Sequence, residues 1–176
     1  VEPNIIIGDI ALEKGLATEA VIRYLAAAKT NPGEVQAKLN EALDIRDDSL
    51  ANCLRRSGAD ALASCENSLI PGYEDEPRIR LRIGELHLFQ ERYRNATRAY
   101  NHPSTGSAGR NRASMIDALN NCTDSSPAAC NRAIELAGDG PQFATLMQDA
   151  YKNRCLAALD SPRQDNISEH CESALR

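Results

Sequence analysis

Tryptophan is absent from this chain, and aromatic residues of every kind make up only 4% of it. A core organised around large rings is thereby excluded. With 42% hydrophobic residues, the packing surfaces have to be built from Ala, Leu and Ile. No apolar run approaches the roughly 20 residues that cross a bilayer, so no membrane-spanning helix is expected. A basic excess is missing too: the net charge of −5 and pI near 5.3 argue against a nucleic-acid partner, whose backbone is bound by clustered Lys and Arg. Glycine-rich phosphate loops, H-E-x-x-H helices, G-x-S-x-G elbows and C-x-x-C or C-x-x-C-H motifs are all lacking, which removes the common signatures of nucleotide, zinc, acyl-transfer and covalent haem chemistry. The three histidines, His87, His102 and His170, are scattered, and the adjacent pair His170-Cys171 has no second ligand cluster. No catalytic, cofactor-binding or metal-binding residue is assigned, and a non-enzymatic protein is expected.

What is present is a recurring pattern. Ile7 and Gly8 sit side by side, Ala11 follows one turn later, and Gly15 interrupts. Ala20, Tyr24 and Ala27 then mark a second apolar stripe before Pro32. Steps of three and four residues place side chains on one helical face, so residues 4–32 are expected to form two short helices. Gly8 admits a close neighbour, Gly15 ends the first helix, Thr18 caps the second and Pro32 stops it. The same signature returns as Ile83-Gly84 with Ala96 and Tyr100.

On the residues Ile7, Gly8, Ala11, Ala20, Tyr24, Ala27 and Pro32, the chain resembles the tetratricopeptide repeat family, whose unit of about 34 residues is a helix–turn–helix. Asn4 and Ala11 stand where that family usually has large side chains. The resemblance implies an all-α fold, a right-handed α-solenoid of about five hairpins over residues 4–32, 34–71, 77–103, 108–138 and 142–176, in one domain covering 1–176. It also implies a concave surface that binds a protein or peptide. In the third unit that surface would carry Arg78, Leu81, Glu85 and Leu88. Members that grip an acidic C-terminal peptide use paired Lys and Asn, whereas this chain has Glu34, Glu85 and Asp117 on its first helices.

Along the chain, residues 34–56 read as a helix that Arg46-Asp47-Asp48 interrupts, and Ser57-Gly58-Ala59 as a turn. Helix 60–69 follows and is closed by Pro71-Gly72. Pro77 opens the next helix behind the acids Glu74, Asp75 and Glu76. The segment 101–109 is rich in Ser, Thr, Gly and Pro and reads as a loop. Helices over 110–121 and 127–137 flank the cluster Thr123–Ser126, which supplies a turn and an N-cap. Helices over 142–159 and 166–175 complete the array.

Six cysteines fall symmetrically about predicted turns: Cys53 with Cys65, Cys122 with Cys130, and Cys155 with Cys171. In an antiparallel hairpin, residues equidistant from the turn lie opposite each other, which is the condition for a disulfide. Of the 15 pairings possible for six cysteines, this symmetry selects one. Persistent disulfides place a protein in the periplasm, the secretory lumen or outside the cell, and the Val1 start fits a processed N-terminus as well as a trimmed one. The triplets at Asn95, Asn121 and Asn166 have the N-glycosylation pattern, a weak signal by itself.

Two functions follow. One is an extracytoplasmic adaptor holding a protein or peptide in its groove, of which a lumenal co-chaperone-like module is a variant. The other is a structural subunit that stacks head to tail into a filament. The first helix is apolar around most of its circumference, with Ile5, Ile6 and Ile10, and the last carries Ile167 and Leu175. Repeat units each have an apolar face that requires a neighbour, and heterologous contacts between such faces make open filaments.

Overall fold

The computed structural model describes residues 2–123, 125–138, 143–159 and 171. Among them are nine α-helices, one 3-10 turn and no strand. The chain divides into two compact units, Val1–Gly106 and Ser107–Arg176, and each is described by itself.

The first unit contains α1 (Pro3–Glu13), α2 (Ala17–Ala27), α3 (Pro32–Arg55), α4 (Ala59–Ser68), α5 (Glu76–Phe89), α6 (Tyr93–Tyr100) and the 3-10 turn Pro103–Thr105. Each helix packs on the next, and α2 also meets α4 while α3 meets α5. Three successive hairpins result. Gly8 and Gly84 explain the tightness of the first and third. A Cβ at Gly8 would lie 2.4 Å from the Tyr24 ring, and one at Gly84 would lie 2.3 Å from the Tyr100 ring, so only glycine leaves room for the second helix's ring against the first helix. In the middle hairpin the disulfide Cys53–Cys65, with Cα atoms 4.6 Å apart, stands in place of ring on glycine.

The ends of these helices correct several expectations. Pro32 does not stop α2, which ends at Ala27; it opens α3, where a missing N–H costs nothing. Thr18 does not cap α2. Its hydroxyl donates to the Asn67 carbonyl and so ties α2 to the end of α4. Arg46-Asp47-Asp48 does not break α3, which runs unbroken for 24 residues, because the Arg46 side chain is buried rather than solvated. Ile7 is 41% exposed, while Ile5, Gly8 and Ala11 form the buried stripe of α1. The Gly8–Tyr24 contact sets that helix's rotation, and Ile7 lies one step, about 100°, off it.

The second unit contains α7 (Gly106–Asn120), α8 (Pro127–Ala137) and α9 (Ala144–Leu159). The expected loop over 101–109 is shorter than anticipated, since the 3-10 turn and the start of α7 occupy all of it but Asn101 and His102. Ser126 is the residue before α8 but makes no side-chain capping bond. Disulfide Cys122–Cys130 ties the turn that follows α7 to α8, with Cα atoms 4.5 Å apart, and α9 packs on α8. The Asn153 amide donates to the Cys122 carbonyl at 3.1 Å. Cys155–Cys171 joins α9 to a helical residue, with Cα atoms 4.8 Å apart. All three expected pairings are formed, and no cysteine is free. The helix expected over 166–175, including Ile167, His170 and Leu175, otherwise lies outside the described residues.

Candidate functional site

The unbroken α3 creates a groove. Leu43, Leu50 and Leu54 recur at helical spacing along it and, with Ala51, line one side of a cavity of about 600 Å³. Tyr73, Glu74 and Asp75 of the α4–α5 connection and Arg78 of α5 line the other.

Arg46 is the keystone. Its guanidinium, 2% exposed, donates through Nε to the Ser68 carbonyl at 2.8 Å, through Nη2 to Asp75 at 2.6 Å and through Nη1 to Asp47 at 3.1 Å. It also lies over the Tyr73 ring, 5.4 Å from the centroid. Burial by itself would favour the neutral form, but the carboxylates of Asp75 and Asp47 outweigh it and hold the group above its ordinary value. One side chain thus satisfies the last turn of α4 and pins the connection to α3.

Glu76 shapes the same connection from within. It is buried, accepts the Gly72 N–H at 2.6 Å and pairs with Arg80 at 2.7 Å. Burial pushes its carboxyl up, yet these two donors pull it further down, and the net shift is below the ordinary value. Arg82 of α5 donates to the carbonyls of Cys53 at 3.3 Å and Arg56 at 2.8 Å, closing the end of α3, and is steadied by Glu85 at 3.2 Å. The groove walls are therefore held by buried or half-buried ion pairs, whereas the rim residues Arg55 and Arg78 are exposed and make no described ion pair.

Of the four residues expected on a partner-binding surface, only Arg78 lines this groove. Leu81 is half-buried, and Glu85 is half-buried and engaged with Arg82. Leu88 is 0% exposed and belongs to the core, which withdraws it from any surface role. Among the residues expected to assemble, Ile5 is likewise buried at 1%, while Ile6 and Ile10 are 47% and 46% exposed. Leu54, Arg55 and Tyr73 were not anticipated as lining. The signal that would have found them is the stripe Leu43, Leu50, Leu54 continuing through Arg46 without a break.

A second cleft of about 250 Å³ lies between the α1–α2 turn, α3 and α4, with the exposed Leu16 and Ile45 at its edges. Asp9 accepts from the Tyr24 hydroxyl at 2.8 Å and from Lys38 at 2.6 Å, linking α1, α2 and α3. Among the described residues, no group of three His, Cys, Asp or Glu could hold a metal ion, and no helix is long and apolar enough to cross a membrane. No protein-family model, curated protein or solved structure matches the chain.

Proposed function

We propose that this chain is a non-enzymatic, extracytoplasmic interaction scaffold: a right-handed α-solenoid of five tetratricopeptide-type hairpins whose groove between α3 and α5 receives a peptide or protein segment. The observation that carries this reading is the groove itself. Its leucine-lined wall and aromatic side offer apolar contact, and its two unpaired arginines offer charge-assisted hydrogen bonds to a ligand's carbonyl or carboxylate. Recurrence of the Gly8–Tyr24 contact as Gly84–Tyr100 supports the repeat character. The three disulfides support an oxidising compartment.

The test is a selection of displayed random peptides on the wild-type chain, followed by affinity measurements on Arg55→Glu/Arg78→Glu. Both residues are exposed, so helicity and melting temperature should be unchanged while affinity falls by about tenfold or more, as when charges at an interface are reversed. Glu85 is left alone because its carboxylate steadies Arg82. Peptides that bind the variant as tightly as the wild type would remove the groove from consideration.

A second reading, self-assembly into a head-to-tail filament, is favoured by a different observation. Ile6, Ile7 and Ile10 are all more than 40% exposed on one helix, an apolar cluster of the kind that marks an interaction surface. The complementary residues expected at Ile167 and Leu175 lie outside the described residues.

A further inference from the structure

The internal repeat allows each position in the first hairpin to be compared with its copy in the third. Residues 7, 8, 10, 20 and 24 recur as 83, 84, 86, 96 and 100, and Gly8–Tyr24 and Gly84–Tyr100 make the same contact. The surroundings differ at two of these positions. Ile83 and Leu86 are 8% and 2% exposed because they share a core cluster with Cys53, Ala61 and Cys65 of the preceding hairpin, against which Leu54 also packs. Their copies Ile7 and Ile10 are 41% and 46% exposed. The apolar surface of α1 is thus shaped like one that, elsewhere in the same molecule, receives a disulfide-closed hairpin.

The second unit carries a comparable disulfide that is less covered. Cys53, Cys65 and Cys130 are 0% exposed and Cys122 is 8%, whereas Cys155 and Cys171 are both partly exposed. Leu156 follows Cys155 as Leu54 follows Cys53, and it is 41% exposed. Resting on the self-assembly reading, we propose that α1 of one copy stacks on the face of a second copy that carries the Cys155–Cys171 disulfide and Leu156, reproducing between molecules the packing of Ile83 and Leu86 on Cys53–Cys65 and Leu54. The contact joins two different surfaces of the same chain, so each molecule offers one of each and the association is open-ended.

The experiment is sedimentation velocity over a concentration series on the full disulfide-bonded chain, with Ile10→Asp, Leu156→Asp and an equimolar mixture of the two. Wild type is expected to form species that lengthen with concentration. Each variant by itself should associate about tenfold to a hundredfold more weakly, the affinity corresponding to one apolar side chain left in water. Their mixture should form a dimer and nothing longer, because only the intact α1 of Leu156→Asp and the intact disulfide face of Ile10→Asp can meet. Since both sites are exposed, the variants should keep wild-type circular dichroism. Independently of folding effects, a benzophenone side chain at position 10 should cross-link to the peptide around Cys155 and Leu156. If Leu156→Asp assembles like wild type, or the cross-link maps elsewhere, this junction is wrong although self-assembly survives. If wild type stays monomeric throughout, both the junction and the self-assembly reading are overturned.

Discussion

At the scale of single residues, the decisive positions are those where one atom more or one proton more would not fit. Gly8 is such a position, since its missing Cβ is the space the Tyr24 ring occupies and the Tyr24 hydroxyl is held in place by Asp9. Gly8→Ala should therefore destabilise the protein by about 1 to 3 kcal/mol, the usual cost of overpacking. Gly33, near the start of α3, has open space around its Cβ position and an ordinary helical backbone. Gly33→Ala should stabilise by about 0.4 to 1 kcal/mol through the unfolded chain, and urea titrations of the two variants should move in opposite directions. His87 sets a pH limit. It is buried, its Nδ1 has no hydrogen-bond partner, and burial first, then nearby Arg92, holds its pKa below the ordinary value of 6.5. The unfolded chain takes up a proton at this residue before the folded one does, so stability is full above pH 6.5 and declines as pH falls below it. Melting temperature against pH should show that decline, and His87→Asn should flatten it. Glu76 acts in a separate window: its lowered pKa contributes stability above its ordinary value of 4.5 that is lost only on further acidification.

At the scale of elements, the hairpin is the unit, and it is closed in two chemically different ways. In the first and third hairpins a tyrosine ring lies on glycine; where the ring is replaced by cysteine, a covalent bond does the same work. A chain with 4% aromatics gains in this way a closure that needs little apolar area. The bridged residues are separated by 12, 8 and 16 positions. Removing each bridge as a Cys→Ser pair should cost about 2 to 4 kcal/mol. Loop-closure entropy grows only by about 0.6 kcal/mol per doubling of loop length, so Cys155/Cys171 should cost about that much more than Cys122/Cys130. Chemical denaturation of the three double variants measures the order, and a reversed or much wider spread would mean that native packing, not loop closure, governs these bonds. The α3 helix makes a related point, because its length rests on a side chain three elements deep in the fold: Arg46 is buried only where Ser68, Tyr73 and Asp75 converge on it.

At the scale of the whole molecule, charge is unevenly divided in a way that the net value of −5 conceals. Residues 77–112 hold eight Arg and two Glu, a balance of +6, whereas residues 1–76 hold seven basic and fourteen acidic residues, a balance of −7. Part of this basic stretch is spent internally, with Arg80 on Glu76 and Arg82 on the end of α3, and part is exposed, with Arg78 at the groove. The amino-acid sequence by itself determined the helical class, the hairpin turns at Gly15 and Gly58, and all three disulfides. These depend on local spacing: the period of apolar residues, a glycine with positive φ, and the mirror symmetry of paired residues about a turn. Tertiary structure alone decided which face each helix buries and which charges are used up. Ile5 rather than Ile7 enters the core because the Tyr24 ring chooses the rotation of α1, and Leu88 leaves the surface because its environment is supplied by other parts of the fold. Arg46 reads as solvated in a run of charges and becomes the centre of the groove because the Asp75 carboxylate, the Ser68 carbonyl and the Tyr73 ring, all far along the chain, join its neighbour Asp47 in compensating its desolvation. Contacts of that kind join residues dozens of positions apart, and no local period in the chain encodes them.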